Sequence, residues 1–463
     1  MNSPIYDFIA IGVGPFNLSL AALTSNIEGV NALFLDKNQE FDWHPGMMLE
    51  SAHLQTPFMS DLVTLADPTH PLSFLNYIKQ QGRLYSFYIR EDFFLLRKEY
   101  NQYCQWAAAQ LPQVRFQQQV THVCYDESKD AYKVTTKNLS EQNDDQFYCR
   151  KLVLGTGPAP YIPETCQPYA DKVTHTSNYL FDKKDLQKKQ SITIVGGGQS
   201  AAEIYYDLLQ DIDTLDYQLN WVTRSPRFFP LEYSKLTLEM TSPEYVDYFY
   251  HLPTSKRNTL ISQQKHLYKG INASLINEIY DLLYVKRLSG EVNTRLFTNS
   301  SLERVSCDNH FTLGFQQNEQ EHHFELESEG LVLATGYAYQ LPSFLEGIAD
   351  HIKWDEQGRF DVSRHYSIDK KINEKIDKQI TNENSGRIFV QNAELHTHGF
   401  VTPDLGMACY RNSVLIKHLT GKEHYPIEKR IAFQEFSAPI HSADLQEHQQ
   451  GQEQTREEAM ETL

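Results

Sequence analysis

Two glycine-rich turns carry the residue types that could hold an anionic cofactor. The first spans residues 12–17 (Gly-Val-Gly-Pro-Phe-Asn) and follows the apolar run 8–11. A strand that ends in Gly-x-Gly and passes directly into a helix cradles a dinucleotide pyrophosphate. Gly12 allows the sharp turn, and Gly14 removes a side chain where phosphate approaches the N-terminus of the helix, which Pro15 begins. Asn17 departs from the strict pattern.

An acid stands where the first turn would need a partner for ribose. Asp36 closes the apolar run 32–35, at the distance along the chain where a carboxylate accepts hydrogen bonds from ribose hydroxyls. The alternative interpretation is a surface acid that follows a strand. We therefore predict that Asp36 belongs to the first cofactor site.

The second turn spans residues 196–201 (Gly-Gly-Gly-Gln-Ser-Ala) and follows the β-branched run 191–195. Two such turns imply two dinucleotides. The next predicted strand, 219–223, ends in Arg224, which suits a 2′-phosphate, whereas an acid would suit a free ribose hydroxyl. The pattern favours NADPH over NADH, with an exposed arginine after a strand as the alternative. Gly196, Gly198, Gln199, Ser200 and Arg224 are the predicted residues of this site.

Composition limits the class of protein. The 463 residues are enough for two or three domains, and the net charge of −18 disfavours nucleic acid or an anionic membrane as a partner. No apolar run approaches the roughly 20 residues of a membrane span, and the N-terminus has no signal-peptide pattern, so we expect a cytoplasmic protein. The six cysteines are scattered without a Cys-x-x-Cys pair. They predict packing residues rather than a metal site.

The order of the patterns predicts an α/β chain with two Rossmann-like dinucleotide-binding domains, in the layout of a flavoprotein that holds FAD first and receives NAD(P)H from the second domain. A small helical insertion would bind substrate. Strand patterns at 114–125, 132–136 and 146–155 predict a small separate sheet, and residues 93–109 have helical spacing. The predicted parts are an FAD domain (1–165 and 331–435), an NADPH domain (166–234 and 288–330), the helical insertion (235–287) and a disordered Glu/Gln-rich tail (436–463).

Several further motifs occur together with the two turns. They are Trp-His-Pro-Gly-Met at 43–47, Phe-x-x-Asp-Leu-Val at 58–63, Pro-x-Ser-Phe-x-Asn-Tyr at 71–77, Ala-Thr-Gly-Tyr at 334–337 and His-Gly at 398–399. With 12–21, including Asn17, and 196–203, the chain resembles the flavin-dependent N-hydroxylating monooxygenases of siderophore biosynthesis. These enzymes act on ornithine, lysine and aliphatic amines. The resemblance extends from about residue 5 to 420.

The resemblance implies a mechanism in which NADPH reduces FAD, O2 adds to the reduced flavin as a C4a-hydroperoxide, and an unprotonated primary amine attacks the distal oxygen. The protein then supplies a dry pocket and correct positioning rather than an acid, a base or a metal. By the same resemblance Gln55 lies near the flavin and the nicotinamide, and is the predicted catalytic residue in a positioning role. The other implied cofactor contacts are Trp43, His44, Thr335, Gly336, Asp404 and Leu405.

The substrate prediction depends on Ser60. Members that act on ornithine and lysine commonly have a lysine here, which pairs with the amino-acid carboxylate, and a serine cannot supply that charge. They also commonly have Asn-Tyr-Ser where this chain has Ile-Asn-Ala at 271–273. Both departures indicate a substrate without a carboxylate, such as putrescine or cadaverine, with histamine, lysine or ornithine as alternatives. Asn272 is either a ligand of the distal ammonium or a helix-entry residue.

Two other classes remain for comparison. A pyridine-nucleotide disulfide reductase needs a cysteine pair near the flavin, which this sequence lacks. A regulatory protein that binds nucleotides without turnover would keep the two glycine turns but would not couple NADPH oxidation to an amine. The resemblance also implies a homo-oligomer, a tetramer or a dimer.

Overall fold

The computed structural model describes residues 4–370 and 386–439, so the predicted tail lies outside the described residues from position 440 onward. Strands β1–β19 are, in chain order, Ile5–Ile11, Ala32–Leu35, His53–Pro57, Phe94–Leu96, Val114–Arg115, Gln118–Asp126, Ala131–Asn138, Asp144–Leu154, Ala159–Pro160, Thr174–His175, Ser191–Val195, Gln218–Val222, Thr294–Phe297, Ser300–Cys307, Phe311–Gln317, His322–Ser328, Gly330–Leu333, Tyr337–Ala338 and Ile388–Val390. Helices α1–α12 are Pro15–Ser25, Phe74–Gln80, Leu84–Arg90, Arg97–Ala108, Tyr179–Leu186, Gln199–Leu215, Lys235–Leu238, Pro243–His251, Thr254–Gln263, Ala273–Arg287, Leu395–His398 and Ala408–Thr420.

The first sheet has the order β5-β2-β1-β8-β7-β6, with β19 beside β8. Strand β8 is long enough to pair along one edge with antiparallel β7 at its start and with parallel β19 at its end, while β1 runs parallel along its other edge. The prediction of a separate small sheet was therefore wrong, because β6 and β7 continue the main sheet through β8.

The carboxyl edge of the first sheet gathers the residues of the first turn. Ile11 is opposite Leu35 on one side and Leu154 on the other. The residues that follow these strands, among them Gly12 and Asp36, consequently emerge at the same edge, where ligands bind in open parallel sheets.

The second sheet has the order β10-β17-β11-β12-β13 and is parallel throughout. Val195 is opposite Val222 and Leu333, so the second glycine turn emerges beside the ends of β12 and β17. Helix α6 packs its apolar face, including Ile204 and Leu208, into the core of this sheet. Strands β14–β16 form an antiparallel meander between β13 and β17 in the chain.

Residues 235–287 contain α7–α10, as the helical spacing indicated. Helix α8 packs Tyr245 and Phe249 against Phe400, whereas α10 packs against α6 of the second sheet. The predicted helix at 93–109 begins only at Arg97, because the preceding residues form β4 and pair with β3. These contacts bring β3, the helical segment and the late chain around one space.

Candidate active site

A cavity of about 1510 Å³ is lined by residues from the carboxyl edges of both sheets. Most of the predicted site residues line it, and Ser60, Asn272 and Asp404 do not. The lining residues among the predicted set are Gly12, Gly14, Pro15, Asn17, Asp36, Trp43, His44, Gln55, Gly196, Gly198, Gln199, Ser200, Arg224, Thr335, Gly336 and Leu405.

The first glycine turn is shaped for the close approach of a ligand. Gly12 has φ +87°, and a Cβ there would lie 2.5 Å from the carbonyl oxygen of Gly155. A Cβ on Gly14 would meet nothing within 4 Å, so the space before α1 is open. An open backbone at the N-terminus of an 11-residue helix fits a pyrophosphate.

Asn17 fills the space between the first turn and its neighbouring strand ends. Its Nδ2 donates to the carbonyl of Gly12 over 2.7 Å, and its Oδ1 accepts from Nε2 of Gln391 over 2.7 Å. A Cβ on Gly155 would lie 2.4 Å from Nδ2 of Asn17. The amide thus joins the turn after β1 to the ends of β8 and β19, which explains why the strict fingerprint fails at this position.

Asp36 is oriented by the first turn and by its own loop. Its Oδ2 accepts the N–H of Val13 over 2.6 Å, and its Oδ1 accepts the N–H of Asn38 over 2.8 Å. The side chain is half-buried and lines the cavity. A carboxylate fixed next to the glycine turn fits the ribose of a dinucleotide.

The second turn repeats this geometry. Gly196 has φ +150°, and a Cβ there would lie 2.2 Å from the carbonyl oxygen of Ala334. The carbonyl of Gly196 also accepts Nε1–H of Trp221 over 2.7 Å. Gly198 precedes the 17-residue helix α6. This turn therefore offers a second helix N-terminus to a phosphate.

Three cations surround the second turn. Arg224 is exposed after β12, and Lys265 and Lys269 from the helical segment also line the cavity. Partial burial lowers the pKa of Lys269, and the positive charges of Lys265 and Arg224 lower it further. A site where cations repel one another fits an anion such as a 2′-phosphate. The lysines were missed because they lie more than 40 residues beyond the motif, in a segment without a nucleotide signature.

Gln55, Gln199 and Asn272 meet although they come from distant parts of the chain. Nε2 of Gln55 donates to Oδ1 of Asn272 over 3.0 Å and to the carbonyl of Gly270 over 3.2 Å. The N–H of Asn272 donates to Oε1 of Gln199 over 2.8 Å. Asn272 precedes α10 but makes no side-chain cap there. Its side chain is therefore a partner of Gln55 rather than a helix cap.

A charged pair that sequence reasoning missed continues this network. Arg97 makes two hydrogen bonds to the carboxylate of Glu203, of 2.9 and 3.1 Å, and donates to the carbonyl of Met47 over 2.6 Å. Oε1 of Glu203 also accepts from Nε2 of Gln199 over 3.0 Å. The side chains of Arg97 and Glu203 are 12% and 4% exposed. Glu203 belongs to a motif, but its spacing did not identify the partner.

Trp43 and His44 line the cavity from the loop before β3. His44 adopts φ +58°, and its Nδ1 lies 3.3 Å from Oη of Tyr337. Burial, and then the positive charge of Arg97, lower the pKa of His44 to about 4. The imidazole is therefore neutral at physiological pH. Thr335, which follows β17, anchors the opposite wall because its hydroxyl donates to the carbonyl of Tyr161.

Ser60 and Asp404 are neighbours beside the cavity rather than in its lining. Ser60 is buried, and its N–H donates to the carbonyl of Pro57 over 2.9 Å. Oδ1 of Asp404 accepts the N–H of Gly406 over 2.6 Å. A Cβ on Gly406 would lie 3.0 Å from that Oδ1 and 3.4 Å from Oγ of Ser60. Between them and the cavity, Leu405 forms part of the lining.

Comparison with known proteins agrees with this geometry. The chain is 53% identical to the putrescine N-hydroxylase of Shewanella oneidensis over 441 residues, which cover 95% of this chain and 86% of that protein. It is 30% identical to an L-lysine N6-monooxygenase of Escherichia coli over 424 residues, 91% of this chain and 96% of that one. The crystal structure of DfoA bound to FAD, the cadaverine monooxygenase of Erwinia amylovora, is 59% identical, with a TM-score of 0.90, and covers 95% of this chain and 100% of its own.

The family comparison covers both glycine turns and the helical segment. Residues 4–339 match the model described as L-lysine 6-monooxygenase/L-ornithine 5-monooxygenase, which is more than half of the chain. No helix among residues 4–370 and 386–439 is long and apolar enough to cross a membrane. The chain belongs to the L-lysine 6-monooxygenase/L-ornithine 5-monooxygenase family.

Proposed function

We propose that this chain N-hydroxylates a primary aliphatic diamine, putrescine or cadaverine, as a step toward a hydroxamate siderophore. The balanced reaction consumes the amine, O2, NADPH and a proton, and releases the N-hydroxyamine, water and NADP⁺. The observation that carries the proposal is the neutral hydroxyl of Ser60 at the position where amino-acid-hydroxylating members commonly have lysine. The 53% and 59% identity to proteins named for putrescine and cadaverine supports it.

The two glycine turns fit the two cofactors of the proposed reaction. Gly14 and Asp36 offer an open helix N-terminus and a fixed ribose acceptor to FAD. Gly198 and the cations Arg224 and Lys269 offer the corresponding groups to NADPH, including its 2′-phosphate. When bound, these cofactors supply the electrons that activate O2 for transfer to the amine.

The remaining site residues position the reactants and exclude water. Because the amide N–H groups of Gln55 donate to Asn272 and Gly270, the orientation of this side chain in the cavity wall is fixed. We assign Gln55 a positioning role toward flavin and nicotinamide, and assign Trp43, His44, Thr335, Gly336 and Leu405 to the wall around them. Such preorganisation places reacting atoms in contact without a protein acid or base.

The proposed domains follow the two sheets. Residues 1–165 and 331–435 would form the FAD domain, residues 166–234 and 288–330 the NADPH domain, and residues 235–287 the substrate insertion. The pairing of β19 with β8 supports the return of the chain to the first domain. The packing of α10 on α6 supports close attachment of the insertion to the NADPH domain.

We also propose a homo-oligomer, a dimer or tetramer, located in the cytoplasm. Helix α3 has no buried residue, and its Tyr85, Tyr88 and Ile89 are 73–78% exposed, which suits burial against a second copy of the chain. The six free cysteines suit a reducing compartment. Light scattering after size-exclusion chromatography, with Tyr88→Lys as the interface variant, tests the assembly, and fractionation of the native host tests the location.

An amine panel tests the proposed reaction. NADPH oxidation and hydroxylamine formation would be measured with putrescine, cadaverine, histamine, lysine and ornithine. We expect the highest kcat/KM for one of the two diamines and hydroxylamine in proportion to NADPH consumed. A higher kcat/KM for lysine, ornithine or histamine would refute the diamine assignment. NADPH oxidation that no amine turns into hydroxylamine would refute the monooxygenase assignment.

A further inference from the structure

The inference concerns how the site recognises the end of the diamine that is not hydroxylated, and it rests on the proposed function. At neutral pH that end is an ammonium ion. Its transfer from water into a closed site costs several kcal/mol unless an anion or hydrogen-bond acceptors receive it. A site for diamines therefore needs a carboxylate at one chain length from the reacting nitrogen.

Asp404 has the properties that such an acceptor needs. Its Oδ1 is held by the N–H of Gly406, and within the described residues no Lys, Arg or His nitrogen lies within 4 Å of its carboxylate. The nearest committed cation, Arg411, is paired with Glu394 at 3.2 Å. Burial raises the pKa of Asp404, opposed by the Gly406 N–H and by the charge of Arg411. The carboxylate is thus partly desolvated and lacks a cation.

The neighbours of Asp404 connect it to the candidate substrate region. Oγ of Ser60 approaches the same point beside Gly406, and the flanking Pro403 and Leu405 line the cavity. Burial, and then the charge of Asp404, raise the pKa of Tyr233, so its phenol is near the carboxylate. Where lysine-type members have a cation, this chain has a serine next to an acid. The charge offered to the substrate is inverted.

A second acid in this region is less suited to the role. Glu232 is exposed, and its Oε1 accepts the hydroxyls of Ser234 and Thr237 over 3.3 and 3.4 Å. A carboxylate in water gains little from an ammonium, whereas a partly desolvated one gains more. Glu232 is therefore the matched comparison for Asp404.

We propose that the carboxylate of Asp404 binds the distal ammonium of the diamine, and that the small side chain of Ser60 leaves room for it. This role replaces the flavin contact that resemblance implied for Asp404. The neutral end of the substrate then points toward the part of the cavity that contains Gln55.

The test compares putrescine with 1-aminobutane, which lacks the distal ammonium. Wild type, Asp404→Asn, Asp404→Glu and Glu232→Gln would be assayed for hydroxylamine formation. We expect Asp404→Asn to lower kcat/KM for putrescine about 10- to 100-fold, mainly through KM, because it removes a charge-assisted hydrogen bond. We expect at most a threefold change for 1-aminobutane, partial recovery in Asp404→Glu, and a smaller loss in Glu232→Gln.

Ser60→Lys supplies a second measurement. Its ammonium would occupy the carboxylate of Asp404, so it should raise KM for putrescine in the wild-type background and do so much less in the Asp404→Asn background. Equal losses for both amines in Asp404→Asn, a loss confined to Glu232→Gln, or additive effects of Ser60→Lys and Asp404→Asn would each overturn the proposal. If wild type instead prefers lysine or ornithine, the proposed function fails first, and the two failures are distinguishable.

Discussion

Nε2 of Gln55 lies 3.0 Å from Oδ1 of Asn272, across 217 residues of sequence. Gln55 belongs to β3, beside the first sheet, whereas Asn272 precedes α10, which packs on the second. The Asn272 N–H is in turn bound by Gln199 at the start of α6. The bond thus links the loop region of the proposed FAD domain to the helix that opens the second glycine turn.

Loss of this bond should uncouple NADPH oxidation from hydroxylation. Gln55→Ala and Asn272→Ala are each expected to lower the yield of hydroxylamine per NADPH about threefold to tenfold, since a net hydrogen bond contributes about 1 kcal/mol. The double variant should be no worse than the worse single variant, because both remove the same bond. Hydroxylamine and H2O2 would be quantified together.

Gln187→Ala is the control for this cycle, since its amide bonds Asp211 outside the cavity lining. It should keep the wild-type yield. Fully additive losses in the Gln55→Ala/Asn272→Ala double variant would contradict a shared role.

The Arg97–Glu203 pair should matter for stability more than its net contribution suggests. Glu203→Leu leaves the guanidinium of Arg97, 12% exposed, without its carboxylate, and is expected to lower the free energy of unfolding by about 3–5 kcal/mol. The double variant Arg97→Met/Glu203→Leu removes both charges and should recover most of that loss. Urea unfolding followed by tryptophan fluorescence measures both. A double variant as unstable as the single one would refute this account.

Arg224→Ala should raise KM for NADPH at least tenfold and change KM for NADH by less than threefold, because only NADPH carries the 2′-phosphate. Lys269→Ala should act in the same direction, since Lys269 lines the cavity near Arg224. Arg227→Ala is the matched control: this arginine is equally exposed but does not line the cavity. Equal effects of Arg224→Ala on the two coenzymes would remove this residue from the site.

His44 should make the protein less stable in mild acid. Its pKa is lowered to about 4 in the folded state, from an ordinary value of 6.5. Between these values the unfolded chain binds the extra proton, so stability is fully present above pH 6.5 and falls as the pH drops toward 4. His44→Gln should therefore flatten the decline of the thermal midpoint between pH 6.5 and 4.

Part of the acid decline should survive in His44→Gln, because burial likewise lowers the pKa of His418 to about 4. His322→Gln, on the surface of β16, is the control and should keep the wild-type slope. An unchanged slope in His44→Gln would show that this imidazole does not contribute.

The parts of the site that could be predicted from sequence are those in which adjacent residues carry the chemistry. Gly12, Gly14 and Asp36 lie at strand ends, and local chain geometry suffices to bring them together. Arg224 was identified in the same way, as the residue after a strand. Such groups act through backbone conformation or through position at a sheet edge, which short sequence patterns encode.

The contacts between distant segments could not be predicted in this way. The pairs Gln55–Asn272 and Arg97–Glu203 depend on how helices and loops pack across the two sheets, and no periodicity encodes that packing. The proximity of Ser60 and Asp404 is of the same kind. Resemblance assigned these residues to separate roles, and only the fold brings them together.

Asn17→Gly should damage the protein although it moves the first turn toward the strict fingerprint. It removes the bonds from Asn17 to the Gly12 carbonyl and to the fully buried Gln391, whose Oε1 already lacks a partner. With the added cost of glycine in a helix, we expect a loss of about 2–4 kcal/mol in unfolding free energy and reduced retention of FAD. Asn26→Gly, at the exposed end of α1, should have little effect. Because the penalty comes mainly from the orphaned amide, Gln391→Leu should restore part of the stability of Asn17→Gly, and no recovery would indicate that the helix, not the amide network, is the weak point.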